Sequence, residues 1–207
     1  VSQSSEKASV LEAEIGKATE AQAALSLAAE LSTDEAQRAL NDSEVALNVA
    51  QRVYLTAKTF GAKVMQDMKR IVGNSDEPCV EELKAVQEQV EAGGVKLKEL
   101  QRNCMENRRV VQERLSMQRT TTAEAAVKSF AEALAELTEE QLEGMAAEEA
   151  AESREKLAAV ERQASEAVSG AQDFLSRLLK EAKTYGVQGA SMTAEVSKCQ
   201  ARLRQQQ

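Results

Sequence analysis

From Leu157 onward, apolar or small residues recur in steps of three and four: Val160, Ala164, Ala167, Ala171, Phe174, Leu178, Ala182, Tyr185, Gly189, Met192, Val196, Cys199 and Leu203. Such steps keep side chains on one narrow stripe of an α-helix. A stripe that narrow cannot form a core with itself, so it demands partner helices along its length. The same pattern opens the chain, at Leu11, Ile15, Ala18, Leu25, Ala36, Leu40, Leu47, Ala50, Tyr54, Ala57, Gly61, Val64, Met68 and Ile71. The pattern predicts an all-α fold built almost wholly of long helices.

Composition narrows the packing. Alanine and glutamate make up about three residues in ten, roughly double their share in ordinary globular chains. Both favour helix, and Pro78 is the only proline available to interrupt one. Aromatic residues are 2% of the chain, too few for layered aromatic packing, so thin cores of Ala, Leu and Val are expected.

The breaks predict the layout. One helix is expected over about 5–72, with Ser32-Thr33-Asp34-Glu35 marking a kink or a break by its capping-box pattern. A turn follows at 73–79, where Gly73 suits a helix stop and Pro78 a helix start. A second helix spans about 80–119 through Leu83, Val86, Val90, Leu97, Leu100, Cys104, Val111 and Leu115. Within it Gly93-Gly94 marks either a bend or a close helix contact. Thr120-Thr121-Thr122 reads as an interruption, followed by a short head helix over about 123–137. Thr138-Glu139-Glu140-Gln141 then caps a last long helix over about 139–205. Up, down and up again, these segments predict a single elongated three-helix bundle over 1–207 with a small helical head at one end. At 1.5 Å per residue its long helices would run roughly 100 Å.

Charge bears on partners and on register. The net charge is −8 with a pI near 4.9, which repels phosphate and argues against nucleic acid as a partner. No stretch reaches the roughly 18 apolar residues of a membrane span. Seven basic residues lie between Lys96 and Arg119, whereas Glu132 to Glu166 is strongly acidic. An antiparallel pair joined near residue 130 would lay these stretches side by side; the alternative is two solvated faces.

Residues suited to chemistry are sparse. There is no histidine, which removes the commonest general base and metal ligand together. The three cysteines lack zinc or redox spacing, and no glycine-rich phosphate loop occurs. No enzyme, cofactor or metal is expected. In the up-down-up layout Cys79 and Cys199 come to the same end, while Cys104 lies about 36 Å away in the seam. A Cys79–Cys199 disulfide and an oxidising compartment follow from that layout; three thiols are the other reading. Asn41-Asp42-Ser43 matches a glycosylation sequon, but inside a helix it reads as chance. Thr120, Thr121 and Thr122 are the better glycosylation candidates, although a helix break explains them without sugar.

The Ala/Glu-rich composition, the long helices and the irregular end without catalytic residues resemble the glutamic acid/alanine-rich protein family of African trypanosomes. In layout the chain is also similar to the variant surface glycoproteins and the haptoglobin–haemoglobin receptor. The resemblance implies a coat protein of the insect-stage parasite, on the extracellular face of the plasma membrane. It further implies a glycolipid anchor attached beyond Gln207, neighbouring coat proteins as partners, and a steric protective role. Two other readings stand beside it. One is a surface receptor for a host macromolecule, with Val110-Val111 and Phe130 as its mild apolar candidates. The other is an intracellular coiled-coil scaffold whose seams are satisfied between chains.

Overall fold

The computed structural model describes residues 1–27, 30–72, 78–136 and 147–205. The described residues hold helices and short turns, without a strand: α1 Ser2–Ser26, α2 Thr33–Val72, α3 Pro78–Glu136, α4 Ala147–Ala182, a 3₁₀ segment Lys183–Gln188, and α5 Gly189–Arg204. None of these helices is long and apolar enough to cross a membrane. The chain divides into two compact units, Val1–Val111 and Gln112–Gln207, with the boundary inside α3.

In the first unit the seam of α1 keeps the alternating steps, burying Ser4, Ala8, Leu11, Ile15, Ala18, Gln22 and Leu25. Opposite it α2 buries Ala36, Leu40, Ser43, Leu47, Ala50 and Ala57, and α3 buries Val80, Leu83, Val90, Leu97, Cys104 and Val111. Cross-helix contacts fix the directions. Tyr54 meets Glu91 and Ser43 meets Cys104, so α2 and α3 are antiparallel. Glu12 meets Gln89 and Gln22 meets Leu100, so α1 and α3 are parallel. The unit is an up-down-up trio.

That trio corrects the single helix expected over 5–72. The Lys7 ammonium lies 5.1 Å from the centre of the Phe60 ring, whereas one straight helix would separate these residues by about 80 Å. The chain reverses between Ser26 and Thr33. Ser32 and Glu35 form the capping box at the restart: the Glu35 carboxylate accepts from the Ser32 N–H at 3.0 Å and its hydroxyl at 2.6 Å. The Ser32 hydroxyl in turn accepts from the Glu35 N–H at 3.3 Å. Two N–H groups that a helix start leaves without partners are thereby satisfied. Asp34 and Glu35 in the first turn of α2, and Lys69 and Arg70 in its last, also complement the helix dipole.

Gly93-Gly94 is a close contact. A methyl group on Gly93 would sit 3.0 Å from Leu11 Cδ2, and one on Gly94 2.7 Å from the Tyr54 ring. The two glycines let α3 approach α1 and α2 together.

The second unit is another up-down-up trio. Gln112 meets Glu181 and Arg119 covers the Phe174 ring at 4.1 Å, so α4 descends beside the rising α3. Arg202 grips Glu124 with two hydrogen bonds of 2.9 and 2.6 Å, so α5 rises again beside α3. Ala123, Ala171, Leu175, Leu178, Ala182, Met192, Val196, Cys199 and Leu203 form the core. The expected helix over 139–205 is therefore two helices joined by a tight reversal. Thr184 donates to the Glu181 carbonyl at 2.7 Å as α4 ends. At Gly189 an added methyl would collide with the Ala182 carbonyl oxygen.

The threonine run does not break α3, and the head helix over 123–137 does not form separately; residues 123–136 complete α3. Ser116 donates to the Gln112 carbonyl and Thr120 to the Ser116 carbonyl, each at 2.8 Å. A hydroxyl satisfied by its own helix can be buried there, so packing outweighs the weak propensity of threonine. The turn read at Gly73–Glu77 and the capping box at Thr138–Gln141 lie outside the described residues, while Pro78 opens α3.

Candidate functional site

The residues singled out in the sequence do not converge. Cys79, Cys104 and Cys199 are all thiols, so the Cys79–Cys199 bridge is not formed. Its premise, a last helix running unbroken back to the Pro78 end, fails at the reversal after Ala182. Cys199 is 4% exposed within the core of the second unit. Cys79 packs on a cluster of Met65, Val80 and Leu83 in the first. Cys104, 5% exposed, receives the Ser43 hydroxyl at 3.7 Å. Burial pushes its thiol above the usual range, against the opposing effect of that hydrogen bond, which makes it a poor nucleophile.

Thr120 is fully buried with its hydroxyl engaged, which removes it from the glycosylation candidates in the folded chain. Thr121 and Thr122 are exposed on α3. Ser43 of the sequon is likewise fully buried.

Residues 112–119, the part of the basic stretch in the second unit, lie beside 174–181 and not beside 132–166. Arg108 pairs with Glu44 at 3.4 Å, Arg119 stacks on Phe174, and the acidic start of α4 leads to Glu161 opposite Val127 and Phe130. The apolar seams set this register. Exposed charge pairs of a few tenths of a kcal/mol cannot override it.

Tyr54, Lys58 and Glu91 form a polar brace between α2 and α3, with Lys58 Nζ 2.9 Å from Glu91 and Tyr54 donating to Glu91 at 3.2 Å. Donating to Glu91 and then to Tyr54 raises the pKa of the Lys58 ammonium above its ordinary range. Lys58 holds the Glu91 carboxyl below its own. Both shifts favour the charged forms, so this trio is no proton shuttle near neutrality. Among the described residues no three His, Cys, Asp or Glu side chains gather as a metal site.

Surface clefts also open among the described residues, and two of them are lined by apolar side chains of adjacent helices. The first, 560 Å³, lies between α1 and α2, with Val10, Val53, Ala57 and Phe60 among its lining and Lys7 and Arg52 also present. Nearby Val45 and Val49 are 63% and 40% exposed. This cleft exists only once α1 folds back on α2, so the off-seam valines of α2 are its only trace in the sequence. The second, 340 Å³, lies between α3 and α4, where Val127 and Phe130 face Glu161, Ala164 and Val168. Of the apolar candidates named from sequence, Phe130 lines this cleft, Val110 is 38% exposed and Val111 is core.

No protein-family model matches this chain, and no curated protein or solved structure is significantly similar to it.

Proposed function

We propose that the protein is a non-enzymatic surface coat protein of an insect-stage trypanosome, held to the plasma membrane by a glycolipid anchor and acting as a steric protective layer. The family rests on the resemblance in composition and helical layout. The observation that supports a mechanical role is where the two classes of side chain go. Leu, Val, Ala and Cys fill helix–helix seams in both units. The outer faces carry carboxylates and cations paired along their own helices, as in Glu14–Lys17, Glu81–Lys84 and Glu152–Lys156, each at 2.7 Å. An acidic exterior of this kind repels polyanions. In this reading Thr121 and Thr122 are the residues that would carry sugar.

The test is antibody staining of live, unpermeabilised insect-stage cells before and after a phosphatidylinositol-specific phospholipase. Surface fluorescence that the lipase releases is expected. Staining that appears only after permeabilisation would overturn the coat reading in favour of an intracellular scaffold.

A further inference from the structure

We propose that the cleft between α3 and α4 is the docking site for one basic amphipathic helix of a partner protein. The inference does not depend on the coat reading.

The shape points to a helix. Lower in the same unit, the trough between α3 and α4 is filled by α5, whose Met192, Val196, Cys199 and Leu203 are at most 4% exposed. Arg202 locks α5 to Glu124, and α5 ends at Arg204. The trough continues beyond that end. Val127 and Phe130 on α3, and Leu157, Val160 and Val168 on α4, keep the seam spacing but are only half buried. Leu134 is 51% exposed. A groove between two helices that accepts a third helix along one stretch has the right width for another along the next.

The charge points to a basic one. Lys128, Lys156 and Arg162 are each paired along their own helix with Glu132, Glu152 and Glu166. Among the described residues Glu136, Glu148, Glu149, Glu155 and Glu161 have no ion-pair partner, and Glu161 lines the cleft itself. Arg154 is the cation of this stretch left outside those pairs. A second copy would bring one acidic rim against another, and polyanions such as nucleic acid or anionic lipid are repelled. Lysines or arginines flanking an apolar stripe satisfy both the trough and its rim.

The test uses the full chain and a fluorescent three-heptad peptide with leucine at its seam positions and lysine on its flanks. The same peptide with glutamate in place of lysine serves as control. The basic peptide should bind one to one, more weakly as salt rises, and the acidic peptide should not bind. Phe130→Ser should weaken binding by about tenfold or more, and Glu161→Lys by about fivefold. Val10→Ser, in the cleft of the first unit, should leave it unchanged. Circular dichroism checks the fold of each variant, and Glu161→Lys, at an exposed rim, decides the matter if Phe130→Ser unfolds. Equal binding of both peptides, or equal weakening by Val10→Ser, overturns the proposal as non-specific attraction. A dimer in sedimentation equilibrium that Phe130→Ser abolishes overturns it in favour of a second copy.

Discussion

Glycines show how the same residue has opposite consequences in two settings. Gly16 has nothing within 4 Å of an added methyl group, whereas at Gly189 that methyl would collide with the Ala182 carbonyl. Gly16→Ala should therefore raise stability by up to about 1 kcal/mol through helix propensity alone. Gly189→Ala should lower it by about 2 kcal/mol or more, because the backbone at the reversal must shift; urea unfolding measures both. Carboxylates give a second residue-scale prediction. Hydrogen bonds from Ser32 hold Glu35, and Lys58 holds Glu91, below the ordinary carboxyl value of 4.5. The unfolded chain therefore takes up these protons first as pH falls. The stability the two groups contribute is complete above pH 4.5 and is lost as pH drops through their lowered values. The urea midpoint should hold steady from about pH 7 to about pH 5 and then decline. A Glu35→Gln, Glu91→Gln double variant should decline less steeply.

At the scale of elements, the reversals matter most. α5 has 16 residues, a length at which an isolated helix is marginal in water, so it depends on its docking. Arg202 and Glu124 form the bidentate clasp that registers it on α3. Arg202→Ala should cost about 1 kcal/mol, discounted because both side chains are partly exposed. Hydrogen exchange should quicken across α5 more than across α4; uniform quickening over the unit would assign the clasp a different role. The two reversals differ in the trace they left in the sequence. Ser32 to Glu35 was legible as a cap because a capping box is a local pattern. The turn after Ala182 was not, because Ala182, Tyr185 and Gly189 preserve the steps of three and four straight through it. Periodicity reports which face is buried, and it is blind to a change of direction that keeps count.

For the molecule as a whole, cores belong to units. Leu97 and Leu175 are 1% and 0% exposed, one in each unit. Truncating either to alanine should cost about 3 kcal/mol. Leu97→Ala should speed exchange chiefly within Val1–Val111, and Leu175→Ala chiefly within Gln112–Gln207. A single cooperative loss of protection over all 207 residues would show that the two cores open together. Sequence by itself determined the helical class and the seam. Every described position of the Leu157-to-Leu203 stripe is at least half buried, because the burial of one helical face is written in local spacing. Tertiary structure alone decided where the helices turn back, and hence that there are two trios and that Thr120 is core. It also decided that a trough opens at Phe130. Each of these depends on which faces meet, and any seam of small and aliphatic residues can pack against several others with nearly equal free energy. The choice falls to the few side chains that fit only one arrangement, such as Gly93-Gly94 under Leu11 and Tyr54 and Arg202 on Glu124.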